Sequence, residues 1–118
     1  MRRRRLRGAI LAGAAAALAT LGAHAATSTL EECVEGSDFI ANAAHARDNG
    51  MARDAFLERL EGDFMAIRAF PVALRWFVKD RDDERFLRAA VEAVYDRPRP
   101  PDAHREAFFA ACVRRAGA

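Results

Sequence analysis

The chain has 118 residues, with 19 Lys and Arg against 17 Asp and Glu, and two cysteines. Five of the basic residues crowd the first seven positions. Without them, 14 basic residues face 17 acidic ones, a net charge of −3. The overall basic balance therefore gives no argument for a nucleic-acid partner, and the absence of any C-x-x-C excludes the commonest redox and zinc signatures.

Residues 1–25 have the plan of a cleaved secretory signal. Arg2, Arg3, Arg4, Arg5 and Arg7 make a charged start, Gly8 to Leu21 an apolar run, and Ala23-His24-Ala25 a small-x-small cleavage site. The run is too short and too rich in alanine for a good membrane span of about 20 residues. The expectation is export to the periplasm of a Gram-negative bacterium, with no stable membrane insertion after cleavage and a single helical domain over residues 26–118.

The first helix is predicted from Leu30 to the Asn49-Gly50 stop. Ser28 or Thr29 caps it, and Glu31 or Glu32 completes a capping box. Leu30, Cys33, Ser37, Ile40, Ala41 and Ala44 share one face, while Phe39, Ala43 and Ala46 lie opposite. Apolar residues on two sides place this helix centrally, and Gly36 marks a tight crossing within it. Cys33 and Cys112 lie near the two ends of the mature chain and have one possible intramolecular pairing. In an oxidising compartment they form a structural disulfide. It closes a loop of 80 residues, which in the chain-entropy model is worth about 4.5 kcal/mol.

A second helix spans Met51 to Glu61, with Phe56, Leu57 and Leu60 on its apolar face, and ends at Gly62. Asp63 caps a short third segment, Phe64 to Ala69, which Pro71 breaks. Phe70 to Val78 is the most apolar and aromatic stretch, with Arg75 its only charge. It is either core or a binding surface. As a surface its residues would be Phe70, Val72, Arg75, Trp76 and Phe77. Asp82 or Asp83 caps a helix from Glu84 to Asp96, and a proline-rich linker, Arg97 to Pro101, leads into a last helix ending near Arg115. There His104, Phe108, Ala111 and Cys112 share the inward face. No stretch alternates with period two. The fold expected is all-α, a compact bundle of about five helices stapled between the first and the last.

No catalytic, cofactor-binding or metal-binding set emerges. His45 and His104 have no second ligand at metal spacing. Ser28 and Ser37 lack a nucleophile context. Glu31, Glu32, Glu35 and Asp38 suit the positive end of a helix dipole. Arg47-Asp48 stands out as a pair at a helix end, placed to cap backbone, clamp a loop or bind an anion or peptide.

Cys33, the run Ile40-Ala41-x-x-Ala44-x-x-Arg47-Asp48-x-Gly50, Val94-Tyr95, Pro101 and Cys112 together form a pattern. It resembles that of a loose set of small exported proteobacterial proteins, over most of the mature chain. The resemblance implies a helical periplasmic fold and carries no catalytic residues. In size and disulfide use the chain is similar to periplasmic acid-stress chaperones, and it also resembles the small helical immunity proteins that block cell-wall amidase toxins. The function expected is binding of another protein. The alternatives are an acid-activated chaperone, or a small hydrolase using Glu31, Glu35 or His104.

Overall fold

A computed structural model describes residues 28–117; the predicted leader lies outside them. The described residues contain four α-helices: α1 (Leu30–Asp48), α2 (Arg53–Arg68), α3 (Arg81–Asp96) and α4 (Pro101–Gly117). A single 3-10 turn, Val72–Leu74, lies between α2 and α3. Among these residues there is no strand. The fold is all-α and stapled between its first and last helices, as expected, with four helices in place of five.

The miscount arose at Gly62. The predicted second and third segments are one helix, α2, which runs through this glycine. Gly62 is exposed, and a helical glycine costs only about 1 kcal/mol against alanine. Leu60 and Phe64 on either side of it are 2% and 1% exposed, and burying each is worth about 2 kcal/mol. The packed face carries the helix across the weak position, and Asp63 caps nothing. The helix gives way before Pro71, which disfavours helical backbone in the residue preceding it.

α1 is built as its sequence dictates. Thr29 caps it: its Oγ1 accepts from the Glu32 N–H at 3.1 Å, while the Glu32 carboxylate accepts from the Thr29 N–H at 3.0 Å. Gly50 takes up φ +93° just beyond the end, a conformation glycine adopts without cost. Cys33, Ile40, Ala41, Ala43 and Ala44 are all at most 1% exposed, so the helix is covered on two faces. It packs most extensively on α4 and next on α3, while α2 packs on α3. A Cβ added at Gly36 would sit 2.7 Å from a Phe108 ring carbon. The glycine is what lets α4 approach so closely.

Cys33 and Cys112 are bonded, with Cα atoms 5.6 Å apart. The bond joins the start of α1 to the end of α4, an antiparallel pair. At the start of α3 the cap is Asp80, whose Oδ1 accepts from the Asp83 N–H at 2.9 Å, not Asp82 or Asp83. Asp83 is buried for another purpose. Its carboxylate accepts from the Lys79 N–H and from Arg115, both at 3.0 Å. Buried Glu84 is paired with Arg68, with Nε to Oε2 at 2.8 Å. One core cluster draws on all four helices and on Phe77 and Val78.

Candidate functional site

α1 and α2 both pack on α3 but lie less close to each other. Between them runs an apolar groove. One part, about 250 Å³, is lined by Phe39, Leu60, Asp63, Phe64, Ile67, Trp76 and Leu87. A second part, about 210 Å³, shares Phe39, Leu60 and Asp63 and extends to Phe56 and Arg59. The aromatic rings form a partly covered chain along it. Phe39 stands edge-on to Phe56 at 6.0 Å and to Trp76 at 5.8 Å. Such offset pairs hold ring orientations better than plain aliphatic contacts.

The segment after α2 supplies Trp76 to this groove. It divides sharply between core and solvent. Phe77 and Val78 are 0% and 1% exposed. The Phe77 ring lies 5.6 Å from that of Phe108 and 6.2 Å from that of Phe86. Phe77 is therefore core, one of the two alternatives left open by the sequence, and drops out of the candidate contact residues. Phe70, Val72 and Leu74 are 56%, 51% and 71% exposed. Trp76 lies between, half-buried, with its Nε1–H donated to Glu35 at 2.8 Å.

Arg75 explains how so irregular a stretch is held. Its guanidinium folds back on the chain and donates to three carbonyl oxygens: Phe70 at 2.9 Å, Lys79 at 2.8 Å and Arg68 at 3.2 Å. A non-helical turn leaves carbonyl groups without helical partners, and buried ones must find others. The planar five-donor fork of arginine serves several at once. Lys79 adds an ion pair to Glu32 across to α1. Burial would push the Glu32 carboxyl up, but its hydrogen bonds to Lys79 and Thr29 hold it below the ordinary value. The exposed side chains thus stand on a braced support.

Arg47 and Asp48 lie at the far end of α1. The Arg47 guanidinium donates to the Asp48 carboxylate at 2.9 Å, to the Val94 carbonyl at 2.8 Å and to the Arg99 carbonyl at 2.9 Å. This ties the end of α1 to the end of α3 and to the linker before α4. The His104 Nε2 lies 3.4 Å from the same guanidinium and accepts from the Arg99 N–H at 3.1 Å. Burial lowers the His104 pKa, and the charges of Arg47 and Arg99 lower it further, against a smaller opposite effect of Asp48.

Glu35 and His104 do not meet. Glu35 lies twelve residues before Arg47 on α1, about 18 Å along the helix, whereas His104 touches Arg47. Glu31 is exposed near the start of the same helix. Among the described residues, no group of three or more His, Cys, Asp and Glu side chains is placed to hold a metal ion. No described helix is long and apolar enough to cross a membrane.

Sequence reasoning found the apolar segment but missed the groove, because the groove depends on the spacing between two helices. The signal available was Phe39 on the second face of α1 together with Phe56 and Leu60 on α2: three large apolar side chains with no assigned partner. It also missed Arg75 as a brace. A lone arginine inside an apolar run beside a proline is the trace such a brace leaves. Compared with protein-family models, with curated proteins and with solved structures, the chain gives no match.

Proposed function

We propose that this is an exported, periplasmic binding protein. It holds an apolar segment of another protein in the groove between α1 and α2, with Phe70, Val72 and Leu74 as the adjoining rim. The observation that carries this reading is the braced turn. Three large apolar side chains over half exposed stand on a backbone fixed by Arg75, in the same segment whose Trp76 lines the groove. Rigid apolar anchors presented without loss of conformational freedom are what a binding surface requires. Exposed apolar side chains on a merely flexible loop would carry less weight. The resemblance to small exported helical proteins, including immunity proteins that act by binding, agrees with this reading.

The test is recovery of a partner by the tagged mature protein at neutral pH, compared with the Ala66→Arg and Trp76→Ala variants. Ala66 is exposed and lines the groove, so an arginine there blocks it without touching the core. A stoichiometric partner lost in both variants supports the reading. A partner retained by both places binding elsewhere.

A second reading, an acid-activated chaperone, has its own support. Buried Phe77 and Val78 follow the exposed turn closely in the chain, and the nearby ion pairs Lys79–Glu32, Arg68–Glu84 and Arg115–Asp83 all depend on charged carboxylates. Protonating these would bare the aromatic layer. Dye binding that stays flat down to about pH 3, well into the carboxylate range, would remove this reading.

A further inference from the structure

The joint between α1 and α4 is closed differently at its two ends. At one end is the Cys33–Cys112 bond, which is independent of pH. At the other the linker between α3 and α4 is held by a histidine. The linker has few donors of its own, since Pro98, Pro100 and Pro101 carry no N–H. The Arg97 N–H is taken by the Ala93 carbonyl. The Arg99 N–H remains, and its partner is the His104 Nε2 at 3.1 Å.

That nitrogen is an acceptor with two donors aimed at it. Besides Arg99, Arg47 Nη1 lies at 3.4 Å. The contact requires the ring to be neutral with its proton on Nδ1. Protonation would place a third N–H against two others and add a positive charge beside a guanidinium. An amide oxygen in the same place would accept without this liability. Histidine is the one common acceptor that turns into a donor within about two pH units of neutrality. The charged groups acting on the ring are Arg47 and Asp48 from α1 and Arg99 from the linker. The α3 residues that share a groove with it are Phe86, Ala89, Ala90 and Ala93, none of them titratable.

We propose that His104 is the latch of an acid-released joint. With its ring neutral, Nε2 ties the linker 97–100 and the end of α1 to the start of α4; protonation unties them, while the disulfide keeps the opposite end closed. Release frees the Arg99 amide and displaces Arg47, which also holds the Val94 and Arg99 carbonyls. The opening is therefore local to the ends of α1 and α3, the linker and the first turn of α4. It does not depend on the groove reading above.

The experiment is an NMR titration of the disulfide-bonded mature protein from about pH 8 to 4, spanning the histidine range, following the His104 ring and the Arg99 amide together. The expected result is a shared midpoint below the ordinary histidine value of about 6.5. Across it the exchange protection of the Arg99 amide, corrected for intrinsic rate, falls about tenfold, as the loss of one hydrogen bond implies. In His104→Gln, which offers a non-titrating acceptor at similar reach, the Arg99 amide loses this transition. An Arg99 amide that stays flat while His104 titrates would overturn the latch. So would a His104 midpoint at or above the ordinary value, or a ring that does not titrate in the range.

Discussion

Gly36→Ala and Gly62→Ala make the same chemical change inside two helices, and the structure requires opposite effects. Both replacements gain about 1 kcal/mol of helix propensity. At Gly62 nothing lies within 4 Å of the new methyl, so the gain stands. At Gly36 the methyl would sit 2.7 Å from Phe108 Cε1 and 3.1 Å from Cζ. Ordinary contact begins at 3.4 Å, so the ring must retreat by about 0.7 Å. It has little room, since it is 4% exposed and lies against Phe77 and Phe86 at centroid distances of 5.6 and 5.1 Å. Overpacking of this kind costs about 1–3 kcal/mol. Set against the propensity gain, the net loss is about 1 kcal/mol. In a domain of this size 1 kcal/mol moves Tm by about 4–8 °C, upward for Gly62→Ala and downward for Gly36→Ala. Thermal and urea unfolding followed by circular dichroism, with the disulfide intact, read both. Phe108→Leu should recover part of the Gly36→Ala loss, a coupling expected only between touching residues. If Gly36→Ala stabilises as much as Gly62→Ala, the close crossing of α1 and α4 is wrong.

Replacing both cysteines by serine should cost several kcal/mol, up to about 4.5 in the chain-entropy model. That is comparable to the whole stability of a small domain, so the variant should be largely unfolded at 37 °C by circular dichroism. Arg75→Ala removes three hydrogen bonds from carbonyl oxygens, one exposed and two part-buried, and should loosen Phe70 to Lys79 at a cost of about 1 kcal/mol. Hydrogen exchange should quicken at the Leu74 and Arg75 amides, which close the turn, and Arg75→Lys should not restore it, because an ammonium cannot span the three acceptors. The Glu84 carboxyl is held below its ordinary range mainly by its hydrogen bond to Arg68, against the opposing effect of burial. Its contribution is thus fully present above about pH 4.5, the ordinary value, and is lost as pH falls through the lowered one. Unfolding free energy measured against pH should show a shallower acid limb in Glu84→Gln.

Much of the fold could be read along the chain because its determinants are local. The Thr29–Glu32 box, the Asn49-Gly50 stop and the two-sided apolar pattern of α1 are each written within a few residues, and the two cysteines allowed only one pairing. The failures occurred where tertiary burial overrode a local signal. Gly62 looks like a stop until the anchoring of Leu60 and Phe64 is known. Asp80, Asp82 and Asp83 look alike as caps until Asp83 is seen to face Lys79 and Arg115. The segment Phe70 to Val78 is apolar apart from Arg75, so composition could not say which residues face inward. That division follows from Pro71, the 3-10 turn and Arg75, which together turn Phe77 into the core and leave Phe70, Val72 and Leu74 outside. The groove was illegible for a different reason: it is a gap between α1 and α2, and sequence patterns describe faces rather than gaps.

The groove reading is tested most directly by in-cell photocrosslinking. A photoreactive side chain replaces Ala66, which is exposed on the groove wall, and in a second variant replaces Arg114, exposed on α4. In the native cells, position 66 should give one discrete adduct with another protein that position 114 does not give, and Trp76→Ala should abolish it. No adduct from position 66, or the same adducts from both positions, would contradict binding in the groove between α1 and α2.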